Sequence, residues 1–438
     1  METMRRGELE ELQLKKLKAT INYVFRNSPF YKRMYSEAGV EPEEIGTIDE
    51  FRSKVPLFRK DDVRERRKET GDPFANMLTV SLDRLATVHL STGTSGVPTF
   101  TALSAEELDV ASEPSARIGW MMKIRPGMRL LCALMLDGFW HWWSTFLGVC
   151  VFGKLGVKSE LIGYNFLLPV FGYPTSRIAL GKFKADWIHL SPDAALATIN
   201  ECARMGKEPK DVLPGLKYVS CSGEAMSPSQ KKMFLEKFGA LDWFESWGCS
   251  DPFTLACECY IHSGLHAFSD YWLLEAVDPD TNELLPVGER GEIVSTNLWL
   301  RSLPYVRFGT EDFGELSDEE CECGRTHPTV RIYDRTSWVI EVAGKKVSPF
   351  NIRVIMEKYP ETGDASFNIL KYSDKMDTLK IKASYKEDIT KDPDELKEKI
   401  IADIKKELGV NAEIEWTPFE QLEKILHKLV RIVDLTKE

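Results

Sequence analysis

The chain has 438 residues, enough for two or three folded units or for one large α/β unit with a smaller companion. Its 68 acidic residues outnumber 57 basic ones, and the resulting charge of −11 excludes a general nucleic-acid binder, whose field would be basic. No run reaches the roughly 18 apolar residues of a membrane span, the N-terminal segment lacks a signal-peptide core, and nine scattered cysteines make no disulfide framework, so the composition points to a cytoplasmic globular protein without a membrane partner.

Taken in chain order, Leu9, Leu12, Leu14, Leu17, Ile21, Val24 and Phe25 recur at helical spacing among charges, which predicts a helix over 8–28 ended by Asn27-Ser28-Pro29. From about Leu78 short apolar runs take over: Arg129–Leu134, Trp187–Leu190, Leu216–Cys221 and Trp243–Trp247. Helical patterns at Pro192–Met205 and Ser227–Phe238 separate them, which predicts a doubly wound α/β body. Phe268–Asn297 reads as β-rich, with turns at Asp278-Pro279-Asp280 and Gly288–Gly291. The last hundred or so residues read as a small α+β unit, with helices at Phe350–Lys358 and Pro393–Leu408 and strands at Leu379–Tyr385 and Ala412–Trp416.

Three features carry chemistry. Ser91-Thr92-Gly93-Thr94-Ser95-Gly96-Val97-Pro98-Thr99 follows an apolar segment, and its glycines, hydroxyls and free amides suit an anion. A polar turn between two strands is the competing reading, and the P-loop pattern is absent. Cys259 with His266, and Cys321 with Cys323, are two pairs of soft ligands that could close a tetrahedral Cys₃His zinc site. Four unlinked side chains are the alternative; four protein ligands would leave no open position for catalysis. The aromatic run Phe139-Trp140-His141-Trp142-Trp143 with Phe146, then Tyr164, Phe166, Phe171 and Tyr173, offers flat apolar walls or ordinary core.

The Ser91–Thr99 loop is followed by Ser222-Gly223-Glu224-Ala225, Ser246–Asp251, Pro304–Asp312, Cys321–His327, Asp334-Arg335-Thr336, Gly344–Pro349 and Lys428–Asp434. In order and spacing this series resembles the phenylacetate–CoA ligase family of AMP-forming, adenylate-forming acyl-CoA ligases, over nearly the whole chain from Asn27 to Asp434. The resemblance implies the architecture of that class: a large α/β N-terminal domain with a β-rich subdomain, over 1–336, and a small mobile α+β C-terminal lid over 337–438. It implies ATP, Mg²⁺ and CoA as cofactors and an aromatic acid as substrate, and it is compatible with a homodimer.

Residue by residue, the resemblance places Ser91, Thr92, Gly93, Thr94, Ser95 and Gly96 on the β,γ-phosphates. Gly223, Glu224, Trp247 and Gly248 fall at the nucleotide, with Trp247 beside adenine. Ser250 would donate to the α-phosphate, and Asp251 stands where a Glu usually helps to hold Mg²⁺. Asp312 matches the carboxylate that accepts both ribose hydroxyls, Arg335 a ribose or phosphate contact near the hinge, and Lys428 the lysine that stabilises adenylation. The acyl pocket would draw on Phe139, Trp140, Trp143 and Ser222.

The chain departs from the family at Val97 (commonly Lys), Asp251 (Glu), Gly309 and Glu311 (Arg and Gly), Ser337-Trp338 (an acidic pair containing the hinge) and His427 (Gly). These departures keep two other readings open: an adenylyltransferase of the deazaflavin-adenylylating type that forms no thioester, and a non-catalytic relative that binds nucleotide or acyl ligand.

Overall fold

The computed structural model describes residues 1–91, 98–134, 148, 150–163, 184–363, 365–425 and 428–437. Its contacts divide the chain into two compact units: Met1–Gly223 with Lys237–Ile332, and Glu224–Glu236 with Tyr333–Glu438. The second unit thus takes in a segment that lies far from it in sequence. Within that unit the Arg353 guanidinium donates to the Ala225 carbonyl (2.6 Å), and the Ser227 hydroxyl donates to the Glu357 carboxylate.

In the first unit the opening helix spans Arg6–Asn27 and buries Leu9, Gln13, Leu17, Thr20, Ile21 and Val24 on one face. It ends where Ser28 becomes extended ahead of Pro29. Strands β1 (Leu85–Leu90) and β2 (Phe100–Ser104) form an antiparallel pair. The main body uses β3 (Arg129–Leu134), β4 (Lys158–Gly163), β5 (Trp187–Leu190), β6 (Tyr218–Cys221), β7 (Asp242–Cys249), β8 (Thr254–Glu258), β9 (Leu265–Ala267), β10 (Trp272–Val277), β11 (Arg290–Asn297), β12 (Phe308–Ser317) and β13 (Thr329–Arg335). Among the described residues they make one 11-stranded sheet in the order β10-β11-β12-β13-β9-β8-β7-β6-β5-β3-β4.

The stretch β4-β3-β5-β6-β7 is parallel throughout. Its interior strands are apolar and buried, as strands covered on both faces must be. Helices Pro192–Arg204 and Pro228–Phe238 lie between β5, β6 and β7 in the chain, so the α/β expectation holds there. From β3 the chain moves outward to β4 and then back to β5, β6 and β7 on the other side. That reversal makes a topological switch point between β3 and β5, and ligands of such sheets bind at the carboxyl ends of the strands. Ser191, Ser222 and Ser250 follow β5, β6 and β7 at those ends. Among the remaining strands, β8 to β13, the pairs β7–β8, β8–β9, β9–β13, β10–β11 and β11–β12 are antiparallel, and this is the β-rich part.

The second unit has its own core, including Ile340, Val342, Ile352, Phe367, Leu379, Ile400 and Ile404. Phe367–Lys371, Thr378–Ala383, Asn411–Trp416 and Ile432–Asp434 form a four-stranded sheet, with helices Pro349–Met356 and Pro393–Leu408. The Asp392 side chain caps the longer helix by accepting from the Asp394 and Glu395 amides. No described helix is long and apolar enough to cross a membrane.

Candidate functional site

The phosphate-loop candidate begins as a hairpin. Leu90 pairs with Phe100, so 91–99 connects β1 to β2. Ser91 and Thr99 pinch its base. The Ser91 amide donates to the Thr99 carbonyl, the Thr99 amide donates to Ser91 Oγ (both 3.0 Å), and the two hydroxyls lie 2.8 Å apart. Thr92, Gly93, Thr94, Ser95, Gly96 and Val97 lie outside the described residues.

Beneath this base sits Asp251, two residues past β7. The Thr99 hydroxyl donates to Asp251 Oδ1, and Lys60 Nζ lies 3.2 Å from Oδ2. Asp251 is fully buried and Lys60 is 7% exposed. The contact with Lys60 is an ion pair without hydrogen-bond alignment, so Oδ2 has no aligned donor among the described residues. A buried oxygen with a lone pair to spare fits a hard cation that also binds substrate phosphates, so Asp251 fits the Mg²⁺ role. Neighbouring Ser250 is anchored through its carbonyl by the Thr101 hydroxyl at 3.2 Å.

Trp247 and Asp312 come from β7 and β12 and meet. The indole N–H donates to Asp312 Oδ2 at 3.0 Å, and both residues are 8% exposed. Asp312 is held in turn by its amide on Thr310 Oγ1 (3.2 Å), so the carboxylate has a fixed position. Gly248 follows Trp247 on β7.

One sequence departure, Gly309, finds a physical reason here, and a second, Glu311, is carried at a cost in strain. A Cβ at Gly309 would lie 2.5 Å from Glu292 Oε1 and 2.8 Å from Arg59 Cγ, so the Arg59–Glu292 ion pair occupies the space a side chain would need. Glu311 retains φ +60°, a conformation glycine adopts freely, at a cost of about 1 kcal/mol.

Ser222 follows the last residue of β6, beside His189 of β5. Ser222 Oγ lies 3.1 Å from His189 Nε2, and Ser220 Oγ lies 2.6 Å from Nδ1. The sequence reading passed over His189; a lone histidine in the apolar run Trp187–Leu190 was the available signal. Phe139, Trp140 and Trp143 lie outside the described residues, as do His141, Phe146, Tyr164, Phe166, Phe171 and Tyr173.

Gly223 and Glu224 follow β6 and fall on either side of the division between units. Glu224 lies 3.6 Å from Arg353 inside the second unit. Arg335 ends β13, and Ser337 sits in a single 3₁₀ turn, Thr336–Trp338. Next to Arg335, the Asp334 carboxylate accepts from the Phe350 amide at 2.7 Å, at the start of helix Pro349–Met356. Burial pushes its pKa up to about 6, against the pull of Ser348, the Phe350 amide, Arg353 and Arg431. Lys428 pairs through its backbone with Ile425; its side chain and His427 lie outside the described structure.

The second cluster is built from two turns. Cys259 opens one turn, in which the His262 amide donates to the Cys259 carbonyl and the Ile261 amide approaches Cys259 Sγ at 3.4 Å. Cys321 opens the other, in which the Gly324 amide donates to the Cys321 carbonyl (2.9 Å) and Gly324 takes φ +79°. The result brings Cys259, His266, Cys321 and Cys323 together, with their ligand atoms within 4.8 Å of one another. Cys259 and Cys321 Sγ atoms are 3.7 Å apart, and Cys323 Sγ lies 3.5 Å from His266 Nε2. A tetrahedral ion with Zn–S of about 2.3 Å and Zn–N of about 2.0 Å needs edges of roughly 3.8 and 3.5 Å.

His266 Nδ1 faces the His327 carbonyl at 3.3 Å, which leaves Nε2 toward the sulfurs. Burial pushes the His266 pKa down to about 4, keeping the imidazole neutral and able to ligate. The nearby Cys257 points elsewhere, to Met121, and His262 bridges Asp242 and Glu258, so neither joins the cluster.

Residues 344–436 match the family model described as AMP-binding enzyme C-terminal domain. The chain is 29% identical to the phenylacetate-coenzyme A ligase of Thermus thermophilus, over 100% of this chain and 99% of that one. It is 26% identical to the phenylacetate-coenzyme A ligase of Aromatoleum evansii, over 99% and 96%. In fold it is similar to a 2-hydroxyisobutyryl-CoA ligase solved in the postadenylation state with R3-HIB-AMP, at a TM-score of 0.86 and 23% identity, covering 100% of this chain and 91% of that one.

Proposed function

We propose, for a chain that belongs to the phenylacetate–CoA ligase family of AMP-forming acid–CoA ligases, that it activates an aromatic acid, aryl or arylacetic, and passes the acyl group to CoA. A carboxylate oxygen attacks the α-phosphorus of ATP, the Pα–O–Pβ bond breaks, and pyrophosphate leaves. The CoA thiol then attacks the acyl carbon, gives up its proton, and AMP leaves. No general base is needed for the first step, because the carboxylate is already ionised at neutral pH.

The observation that carries this reading is the Trp247–Asp312 pair, with Asp251 four residues beyond Trp247 and tied to the base of the loop by Thr99. A flat ring for adenine, a fixed carboxylate for the ribose hydroxyls and a metal-ready carboxylate for phosphates thus share one stretch of the first unit. Ser250 would donate to the α-phosphate, and Ser91 with Thr92, Gly93, Thr94, Ser95 and Gly96 would cradle the β- and γ-phosphates. Glu224 and Arg335 would add contacts to the nucleotide. Lys428 would stabilise the charge that develops between carboxylate and α-phosphate. Mg²⁺, when bound, would neutralise phosphate charge at Asp251.

Support for an aromatic acid comes from the run Phe139–Trp143 and from the names of the relatives; the 2-hydroxyisobutyryl-CoA ligase sets the competing class, a small hydroxy acid. The test is pyrophosphate release with phenylacetate, benzoate and 2-hydroxyisobutyrate, each with and without CoA, followed by thioester detection. Aryl acids giving both products support the reading. Preference for the hydroxy acid overturns the substrate class, and pyrophosphate without thioester overturns the acceptor. The same reading includes a structural zinc ion held by Cys259, His266, Cys321 and Cys323; its support is that their ligand atoms converge within 4.8 Å and that two of the separations, 3.7 and 3.5 Å, are near tetrahedral edges. Elemental analysis finding no metal in the purified protein would remove it.

A further inference from the structure

The family's loop lysine is absent at Val97, yet ATP brings several negative charges into a protein of net charge −11. Helix Lys60–Thr70 carries bases and reaches Pro98, at the outgoing end of the loop. Lys60, Arg64, Arg67, Lys68 and Gly71 are spaced i, i+4, i+7, i+8 and i+11, so they share one face. At the start of that face, Lys60 is buried against Asp251, and buried lysines are rare. Two turns on, Arg67 donates to the Pro98 carbonyl at 2.6 Å and lies over the Phe100 ring at 4.8 Å, which fixes the helix to the outgoing end of the loop. Beyond it lies a cavity of about 420 Å³ bordered by Arg64, Arg67, Lys68, Gly71, Asp72 and Pro73. Three acids on or next to the helix have protein partners. Asp72 accepts from the Asn76 amide (2.5 Å), Asp62 from the Arg59 amide (2.7 Å), and Asp61, largely in solvent, pairs with Arg64 (2.6 Å).

We propose that this helix forms the outer half of the polyphosphate site: Lys60 meets the β- and γ-phosphates in place of the missing loop lysine, and the cavity of Arg64, Arg67 and Lys68 receives pyrophosphate as it departs. The proposal rests on the adenylation reading. When the Pα–O–Pβ bond breaks, the bridging oxygen leaves with the electron pair, so pyrophosphate gains charge at that moment. Bases placed along its exit stabilise it more than they stabilise bound ATP.

The test uses inorganic pyrophosphate as product inhibitor and as substrate of ATP–pyrophosphate exchange, in the full chain. Lys60→Met, Arg64→Gln and Arg67→Gln should each weaken pyrophosphate about tenfold, and the exposed Lys68→Glu about threefold. Conversion of supplied acyl-adenylate and CoA, which involves no pyrophosphate, should stay within about twofold of wild type, and Lys60→Arg should restore most of the loss. Unchanged pyrophosphate inhibition in Arg64→Gln and Lys68→Glu overturns the cavity, as does equal loss in both half-reactions. Lys68→Glu keeps the test alive if a buried replacement fails to fold. Wild type that releases no pyrophosphate with any acid, yet binds it through these bases, would sink the adenylation reading and leave the anion site standing. Normal turnover with unchanged inhibition would do the reverse.

Discussion

The carboxylates of the proposed nucleotide site and the sulfurs of the Cys₃His cluster lie in the same unit but answer opposite requirements. Asp251 and Asp312 already have protein partners: Thr99 and Lys60 for one, the Trp247 indole for the other. Cys259, Cys321, Cys323 and His266 Nε2 converge chiefly on one another, with the Ile261 amide near Cys259 Sγ and the Ser263 hydroxyl near Cys321 Sγ as weaker contacts. A ligand that arrives and leaves every cycle needs a site that is stable without it, because a buried unpaired charge costs several kcal/mol. A resident ion needs the reverse, a site that is complete only with the ion, so that binding becomes folding free energy.

The largest effect expected from this contrast is at the cluster. Cys321→Ser should abolish bound zinc and lower the melting temperature by roughly 5–10 °C. Metal analysis and a melting curve check it; full stability without metal would make the cluster four ordinary core side chains. Brief chelation sharpens the contrast from the other side. Activity should vanish and return with added Mg²⁺, while zinc content and melting temperature hold.

Next comes the charge that exists only in the transition state. Lys428→Ala should slow adenylation about 10²–10³-fold and leave conversion of supplied acyl-adenylate largely intact. Equal slowing of both half-reactions would count against the role. Asp312→Ala should raise the KM for ATP about 10- to 100-fold and also cost about 1–3 kcal/mol of stability, since the Trp247 N–H would lose its acceptor. Asp312→Asn should recover the stability and little of the affinity. If both variants keep wild-type KM, Asp312 is a structural partner of Trp247 and nothing more.

Much of this was legible in the chain because the signals are local. Buried parallel strands are apolar runs, and crossover helices have their own period, so Trp187–Leu190 and Pro192–Arg204 could be read directly. The Cys and His positions could be read as two pairs because each pair is close in sequence. What stayed hidden depends on distant partners. Lys60 lies in the charge-rich stretch Lys60–Lys68, where a solvated face is the ordinary reading, yet it is buried beside Asp251, a partner far away in sequence. The segment Glu224–Glu236 follows β6 in sequence, yet Arg353 and Glu357 hold it in the second unit. Glu311 looked like a lost glycine, although the backbone keeps the glycine conformation and tolerates the strain.

Asp334 is the intermediate case, and the smallest predicted effect. Its partners, the Phe350 amide and the charges of Arg353 and Arg431, only partly offset burial, so its pKa in the fold stands at about 6. The unfolded value is about 3.9, so the shift is upward and the neutral form is favoured in the fold. The contribution to stability is therefore fully present below about pH 4 and is lost as pH rises through about 6. Asp334→Asn keeps an acceptor for the Phe350 amide and removes the charge. Above pH 7 the variant should be more stable than wild type by about 1–3 kcal/mol, a rise of a few degrees in melting temperature, and the difference should shrink toward zero by about pH 4. Melting curves of both proteins at pH 4.5, 6 and 7.5 give this double difference free of the other titrating groups. Parallel pH profiles would mean that the arginines compensate Asp334 as fully as Lys60 and Thr99 compensate Asp251, and the carboxylate would then belong with the nucleotide-site class.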